Sequence, residues 1–369
     1  MPNTQCPMPN PQWTQLHAQL HQTLLHRKIL PPNQRFLVAV SGGQDSLCLL
    51  KLLLDLQSKW GWELAIAHCD HRWRSDSEAN ANHVEKLAKN WGISYYLQTA
   101  DRVPKTEAAA RNWRYQSLTE IAIANNYPYI ITGHTASDRA ETLLYNLIRG
   151  SGADGLSALT WVRPLADFRL PILDFGLGNP HENPKSKISL VRPLLEITRS
   201  QTGQFCQEQK LPIWEDSTNQ DLQYARNRIR SELLPYLETH FNPKTQQALA
   251  QTAELLRADV EYLELAATNL LQQAMSEINE GEHENFQLPV KLNRQILQAA
   301  PLSLQRRAMR QLLQHILPSA PSFESVEKLT ALIVAPNRSQ TDPFPSGAIA
   351  SVEKPWITIK YIAEHPSIR

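Results

Sequence analysis

Short apolar runs and amphipathic segments alternate along the first 150 residues of the chain. Residues 36–40 form a continuous apolar run, which is typical of a strand that is buried on both faces. Apolar positions then recur at the period of a helix, at Leu47, Leu50, Leu53 and Leu54. Gly61 follows them and is predicted to end this helix, since glycine is common just beyond a helix C-terminus.

The alternation continues up to Gly150. The pattern predicts strands at 64–67, 94–99 and 129–132, and helices at 13–29, 77–91, 107–125 and 138–149. Thr106 is the predicted N-cap of the third of these helices, and Gly92 is predicted to end the second. Strands that alternate with helices indicate βαβ units. We therefore expect an α/β fold with an open parallel sheet and helices on both faces.

The pattern changes after Gly150. Residues 166–187 contain Pro and Gly without periodicity and are predicted to form a long loop, and residues 190–193 are a candidate last strand. Helical patterns follow at 224–239, 244–278, 302–316 and 323–334, and the last thirty or so residues favour a small β element. We predict an N-terminal tail and helix (1–34), a catalytic domain (35–220) and a mostly helical C-terminal domain (221–369).

Composition narrows the class of protein only modestly. The 37 basic and 36 acidic residues nearly cancel, so a nucleic-acid partner is neither required nor excluded. The four cysteines are widely spaced, unlike a disulfide framework or a zinc or iron–sulfur site. No apolar run approaches the ~20 residues of a membrane-spanning helix, and no signal peptide is evident. These features predict a soluble cytoplasmic protein.

A candidate phosphate-binding loop follows the first predicted strand and leads directly into a helix. It consists of Ser41, Gly42, Gly43, Gln44, Asp45 and Ser46. Adjacent glycines let backbone amides approach an anion, and the helix N-terminus adds partial positive charge. A Gly-Gly turn that only caps the helix is the alternative. Asp45 favours the functional interpretation, because a carboxylate beside phosphates needs a cation between them, which implies Mg²⁺.

The loop is neither a Walker A motif nor a dinucleotide-binding Gly-x-Gly-x-x-Gly motif. It resembles the Ser-Gly-Gly-x-Asp-Ser loop, or PP-loop, of the ATP pyrophosphatases. That resemblance implies that the protein binds ATP and cleaves it between the α- and β-phosphates. It also implies that an oxygen of the second substrate is adenylated and that pyrophosphate is released.

Seven further motifs follow in order, at residues 68–74, 107–115, 132–142, 149–157, 191–195, 215–219 and 224–230. Together with the loop, they resemble the tRNA(Ile)-lysidine synthetase family over residues 35–240. That family activates C2 of the wobble cytidine in the CAU anticodon of tRNA(Ile) with ATP. The ε-amine of free L-lysine then displaces AMP. The family pattern commonly has an acidic or amide residue where Ser137 stands, so no second-carboxylate role is expected there.

The resemblance also implies roles for individual side chains. Asp138 and Glu141 are three residues apart near a helix start, so they share a face, and the family implies that they bind lysine. A solvated acidic first turn that complements the helix dipole is the alternative. Arg114 is our candidate for stabilising charge on the α-phosphate or holding the activated base, and Arg111, one turn earlier, is the other candidate. His134 is a candidate nucleotide or phosphate contact, against a purely structural histidine.

Histidine and aspartate also follow the second predicted strand. His68, Asp70 and His71 make a metal site possible in principle, but a fourth ligand is missing, so a nucleobase-binding strand end is favoured.

Arginines at helical spacing are candidate tRNA phosphate contacts, namely Arg226, Arg228, Arg230, Arg306, Arg307 and Arg310. An ordinary charged helix surface is the alternative. Rival functions are a 2-thiolating PP-loop tRNA enzyme and a non-catalytic nucleotide-binding regulator.

Overall fold

A computed structural model describes residues 13–165, 188–214, 222–275 and 288–361. Most of the N-terminal tail, the loop predicted at 166–187 and the motif at 215–219 lie outside these residues. The chain divides into two compact units, residues 1–257 and 258–369. Each unit is described by itself below.

The first unit contains a six-stranded sheet. Its strands are β1 (Arg35–Ala39), β2 (Glu63–Asp70), β3 (Ser94–Thr99), β4 (Tyr129–Thr132), β5 (Val162–Pro164) and β6 (Ser189–Val191). They lie in the order β3-β2-β1-β4-β6-β5. All neighbours are parallel except β5, which is antiparallel to β6 at the edge. The predicted parallel sheet is confirmed, and the antiparallel edge strand is an addition to it.

Helices cover both faces of this sheet. They are α1 (Gln15–Arg27), α2 (Gln44–Trp60), α3 (Ser77–Trp91), α4 (Glu107–Ala124), α5 (Ala136–Ile148), α6 (Ala153–Leu156) and α7 (Arg199–Glu208). Phe36 and Val38 of β1 pack in one hydrophobic core, whereas Leu37 packs in another. Alternate residues of the central strand therefore face opposite layers, which explains its uninterrupted apolar sequence.

The first unit continues beyond the predicted domain boundary at 220. It includes α8 (Ala225–Arg228), a π-helical turn (Ile229–Leu233), α9 (Leu234–His240) and the beginning of α10 (Thr245–Met275). Ile229 and Leu234 pack against Leu144 of α5, and Ala253 of α10 packs against Leu143. Because these residues bury their apolar side chains on α5, the compact unit ends at residue 257 rather than at 220.

Glu254 of α10 joins several parts of the first unit. Its carboxylate accepts a hydrogen bond from Arg27 of α1 at 2.9 Å and lies 2.9 Å from the guanidinium of Arg139 on α5. The indole of Trp161 also donates to it, at 3.0 Å. Arg139 is almost fully buried. The position of α10 therefore depends on a partly buried cluster of charges.

The second unit combines helices with a small sheet. Its elements include α11 (Arg294–Ala299), α12 (Leu302–Ile316), α13 (Phe323–Ala331), β7 (Val290–Asn293), β8 (Ala348–Glu353) and β9 (Trp356–Tyr361). The strands are antiparallel in the order β7-β9-β8. Strands β8 and β9 match the β element predicted near the C-terminus, whereas β7 was not predicted. No helix within the described residues is long and apolar enough to span a membrane.

Candidate active site

The phosphate loop lies between β1 and α2, and its backbone is closely held. Gly42 has φ +87°, and a Cβ atom there would collide with Oδ1 of Asn80. The Asn80 amide donates to the carbonyl of Ser41 at 3.0 Å, and the hydroxyls of Ser41 and Ser46 are 3.2 Å apart. Glycine is therefore required at position 42 for both conformation and space. The amides at the start of α2 are the ones predicted from the sequence to bind phosphate, and that role stays a prediction.

Asp45 lies in the first turn of α2 and is only half-buried. Thr202 of α7 donates to its Oδ1 at 2.5 Å, and Nε of Arg199 is 3.7 Å from its Oδ2. Burial raises the pKa of Asp45, whereas Arg199 opposes that shift. Mg²⁺ is commonly bound by one or two carboxylates together with substrate phosphates, and Asp45 fits that donor set. No cluster of three or more metal-ligating side chains occurs in the parts of the chain that the structure describes.

Helix α7 and the turn after β4 both pack against the loop. The Gln44 amide donates to the Arg199 carbonyl at 2.7 Å and to the Thr202 hydroxyl at 2.9 Å. A Cβ atom on Gly133 would lie 2.9 Å from the carbonyl oxygen of Asp45. Arg199 and Thr202 were not predicted from the sequence, because only the fold brings α7 to the loop.

Asp138 and Glu141 lie on the same side of α5, as predicted. Asp138 accepts hydrogen bonds from the amide and hydroxyl of Thr135, at 2.8 and 2.7 Å, and so completes a capping box. Arg230 donates to both oxygens of Glu141, at 2.6 and 2.7 Å, and lies 3.8 Å from Asp138. Asp138 thus has a helix-capping role in addition to any ligand role. Arg230 reaches the acidic pair, whereas the sequence analysis expected it on a tRNA-binding surface.

Arg114 is held by a histidine. Its Nη2 and Nε lie 2.9 and 3.2 Å from Nε2 of His71. Burial and the nearby Arg114 lower the pKa of His71 to about 4. His71 is therefore neutral near pH 7 and can accept these hydrogen bonds. Trp113 packs edge-on against its ring, with centroids 5.0 Å apart. The contact between His71 and Arg114 was not predictable from the sequence, because the two residues are 43 positions apart.

The other two residues of the possible metal site have separate partners. Nδ1 of His68 lies 2.7 Å from the carbonyl oxygen of Val40, and Asp70 accepts a hydrogen bond from the Arg72 amide at 2.7 Å. Because His71 is engaged with Arg114, these three side chains do not share a coordination sphere in the structure.

Arg111 belongs to a different group from Arg114. The guanidinium of Arg111 lies 5.6 Å from the ring centroid of buried Tyr115, and Arg192 is a second cation that acts on this tyrosine. His134 is hydrogen-bonded to Thr132, with its Nδ1 2.9 Å from the hydroxyl oxygen. Burial and the cationic side chains of Arg192 and Arg111 lower the pKa of His134 well below its usual value. His134 is therefore neutral near pH 7 beside a cationic group, and its contact with a nucleotide or phosphate stays a prediction.

Tyr115 should make stability depend on pH. Burial would raise its pKa, but Arg192 and Arg111 outweigh burial and lower it to about 7. An unfolded tyrosine keeps its proton until about pH 10, so the folded state gains stability as pH rises from 7 towards 10. Tyr115→Phe should remove this gain. The difference in unfolding free energy between the wild type and this variant should therefore grow by about 1 kcal/mol per pH unit. Denaturant titrations at pH 7, 8 and 9 measure it.

Tyr95→Phe provides the control for this prediction. The Tyr95 hydroxyl donates to the Ala81 carbonyl at 3.1 Å, and burial raises its pKa. With Tyr95→Phe, the difference in unfolding free energy from the wild type should therefore not change between pH 7 and 9. A constant deficit for Tyr115→Phe over the same range would show that Tyr115 stays protonated.

The predicted tRNA-binding arginines differ in their surroundings. Arg228 is exposed, and the guanidinium of Arg226 lies 5.5 Å from the ring centroid of Tyr145. A cleft of about 620 Å³ adjoins them and is lined in part by Tyr145, Arg149, Arg228 and Tyr236. This part of the first unit combines cationic and aromatic side chains.

The arginines of the second unit are engaged with carboxylates. Arg306 donates to Glu327 at 2.7 and 2.8 Å, and Arg307 and Arg310 both donate to Glu264. The shared face expected from their spacing is present, but carboxylates already balance its charge. Helical spacing alone does not reveal such partners. The role of these residues in tRNA binding stays a prediction.

Comparisons with known proteins agree with this geometry. The PP-loop domain family matches residues 13–237. The tRNA(Ile)-lysidine synthase of a Nostoc sp. is 64% identical over 94% of this chain and 97% of its own length. That of a Synechocystis sp. is 50% identical over 95% and 98%, and the chloroplastic one of Zygnema circumcarinatum is 41% identical over 88% and 81%.

A solved structure supports the fold alone. The U34-tRNA thiolase NcsA from Methanococcus maripaludis, with its [4Fe-4S] cluster, has a TM-score of 0.52 and 17% sequence identity. The match covers 65% of this chain and 77% of that chain. Because the full-length relatives and the PP-loop match coincide with the loop and acidic helix described above, the chain belongs to the tRNA(Ile)-lysidine synthase family of PP-loop proteins.

Proposed function

We propose that this protein joins the ε-amine of free L-lysine to C2 of the wobble cytidine in the CAU anticodon of tRNA(Ile). ATP supplies the energy, and AMP and pyrophosphate are released. One observation carries the proposal. The acidic pair Asp138 and Glu141 lies on the helix whose preceding turn touches the phosphate loop at Gly133. An ammonium site and a nucleotide site are therefore neighbours within one unit.

The residues suit two successive displacements. First, the carbonyl oxygen of the cytidine attacks the α-phosphorus of ATP, and pyrophosphate leaves. The loop amides and Arg114, which His71 holds, stabilise the negative charge on the phosphates. The ammonium of lysine then loses a proton to the carboxylate pair, and the amine attacks C2. The C2–O bond breaks, AMP leaves, and the new carbon–nitrogen bond remains.

Mg²⁺ belongs to the proposal as a ligand of the triphosphate. Asp45 would hold it, because Asp45 is the carboxylate at the start of α2 beside the loop amides. The ion would neutralise phosphate charge that would otherwise repel Asp45. Thr202, which donates to Oδ1 of Asp45, orients this carboxylate.

The 2-thiolating alternative receives less support from the cysteines. Cys48 and Cys206 are both almost fully buried in the hydrophobic core, and the Cys206 thiol donates to the Gln44 carbonyl at 3.4 Å. Cys69, the other cysteine of the described residues, is a free thiol too. Because the neighbouring pair is shut off from solvent, it offers no accessible thiols for sulfur transfer.

The proposed function is tested by incubating the protein with labelled lysine, ATP and an unmodified CAU-anticodon tRNA, followed by nucleoside analysis. We expect labelled lysidine, together with pyrophosphate release that requires the tRNA. A non-catalytic regulator would give no labelled nucleoside, and a thiolating enzyme would leave lysine unused. The cytoplasmic location expected from the sequence stays a prediction.

We further propose that the anticodon arm contacts the cationic and aromatic cleft beside α8. Changing both Arg226 and Arg228 to Gln should weaken tRNA binding and reduce the slope of log affinity against log salt by about 2, one for each phosphate contact. Filter binding at several salt concentrations measures this effect.

Arg306→Gln serves as a comparison, because Glu327 already neutralises that guanidinium. It should change the slope of log affinity against log salt by less than the amount expected for one phosphate contact. An unchanged slope in the double variant would place the tRNA elsewhere. The predicted tRNA-binding role of residues 221–369 as a whole stays a prediction.

A further inference from the structure

Arg230 occupies the acidic pair that the proposed function assigns to lysine. Its Nε and Nη2 donate to the two carboxylate oxygens of Glu141 at 2.6 and 2.7 Å, and Nη2 is 3.8 Å from Asp138. The Glu141 side chain is only 4% exposed, so it has little access to water as another partner. The structure thus contains a cation in the place where the substrate's ammonium is expected.

Arg230 uses its strongest binding edge in this contact. The Nε and Nη2 edge of a guanidinium is one that grips a carboxylate with two parallel hydrogen bonds, and here Glu141 takes it. The same edge is therefore not open to the α-carboxylate of an amino acid. Glu141, Asp138 and Asp45 also raise the pKa of Arg230 against the effect of burial, so the group stays charged.

We propose that Arg230 is an internal competitor of lysine, whose guanidinium holds the ammonium position in the free enzyme and must move aside before lysine binds. This inference rests on the proposed function and deepens it, because it names the residue that limits access to the amine subsite. Lysine then binds more weakly than the carboxylates alone would allow, since part of its binding free energy displaces Arg230.

The backbone at Arg230 offers a way for the side chain to leave. Residues Ile229–Leu233 form a π-helical turn between α8 and α9, and such single turns recur at functional sites. A shift of one residue in a helix rotates a side chain by about 100°, enough to remove it from a partner on a facing helix. Arg226 and Arg228, in the turn before it, belong to the proposed tRNA surface. Movement of this segment would therefore affect both sites.

The test is lysine binding to the full-length protein without tRNA, measured by equilibrium dialysis with labelled lysine. Arg230→Ala should lower the Kd for lysine about tenfold, if Arg230 blocks the site in nine of ten wild-type molecules. Guanidinium ion at low millimolar concentration should compete with lysine in Arg230→Ala, because it can refill the vacated position. The wild type should be insensitive to it. Lys86→Ala, which removes one exposed positive charge on helix α3, should leave the Kd unchanged.

Arg230→Lys keeps the experiment decisive if Arg230→Ala folds poorly. It retains the charge but cannot form the two parallel bonds, so its Kd should fall between those of the wild type and a vacated site. Weaker lysine binding in both variants, with guanidinium restoring it in Arg230→Ala, would overturn the proposal and make Arg230 part of the lysine site. If the wild type forms no lysidine, the proposed function fails. If the wild type forms lysidine but both variants bind lysine with unchanged affinity, only the inference that Arg230 competes with lysine fails.

Discussion

Asp45→Ala should lower tRNA- and lysine-dependent pyrophosphate release by about 10³-fold while leaving the protein folded. The side chain is the carboxylate at the start of α2, beside the loop amides that are proposed to bind the phosphates. Without it, the proposed Mg²⁺ would lose its protein ligand, and the phosphate charge would be less well neutralised. Burial raises the pKa of Asp45, so folding disfavours the charged form of this carboxyl. The charge therefore does not contribute to the stability of the folded protein. Its removal should therefore have little effect on the melting temperature.

Two further variants make this experiment specific. Asp101→Ala removes an exposed carboxylate and should leave pyrophosphate release unchanged. Thr202→Val removes the hydroxyl that donates to Asp45 and should give an intermediate rate, because the carboxylate remains but is less well oriented. Wild-type pyrophosphate release in Asp45→Ala would reject the assigned role of the loop.

Glu254→Ala should destabilise the first unit by about 3 kcal/mol. This carboxylate lies within 2.9 Å of both Arg27 and Arg139 and also accepts from Trp161. Removing it leaves the guanidinium of Arg139 without its anionic partner in an almost fully buried position. The Glu254 side chain is 29% exposed, so we expect the lower end of the range for buried ion pairs. Differential scanning calorimetry should show a melting temperature lower by on the order of 10 °C.

Glu208→Ala is the matched control for this effect. Glu208 is exposed on α7 and accepts one hydrogen bond from Gln204, at 2.8 Å. Its removal should change the melting temperature little, because exposed polar contacts contribute little to stability. If Glu254→Ala melted within one or two degrees of the wild type, the charge cluster would not hold α10 in place.

The α/β part of the fold was predictable because local signals and tertiary burial agree there. Helix α3 and strands β3 and β4 have the bounds expected from the sequence. Gly92 adopts the left-handed conformation at the end of α3, and the Thr106 hydroxyl accepts from the Ala109 amide at the start of α4. Each of these residues has a capping preference that operates within one turn of the chain.

Features that depend on distant parts of the chain were not predictable. Strand β5 has only three residues, with a charge and a proline among them, and it pairs with β6 only because the fold brings it there. The domain boundary predicted at 220 stays a prediction, but the compact first unit extends to residue 257 for a similar reason. The helical pattern after residue 224 shows an apolar face at Ile229 and Leu234, but it does not show that this face packs on α5.

The same contrast holds in the candidate site. Positions along the chain could be predicted there, whereas the partners of the side chains could not. The loop and the acidic pair were found from their order along the chain, and the structure brings them together through Gly133. The partners of the arginines were not found, because i and i+4 spacing indicates a shared face and nothing more. Arg230 turns to Glu141, whereas Arg228, two residues earlier, is exposed.

The direct backbone contact at Gly133 has a consequence for redesign of the enzyme. No side chain separates this residue from the carbonyl of Asp45, so main-chain atoms fix the spacing between the proposed nucleotide and amine subsites. A Cβ atom there would force the two segments apart by displacing backbone, which cannot rotate away as a flexible side chain can. A variant in which the spacing of these two segments is to be kept would therefore need glycine at position 133.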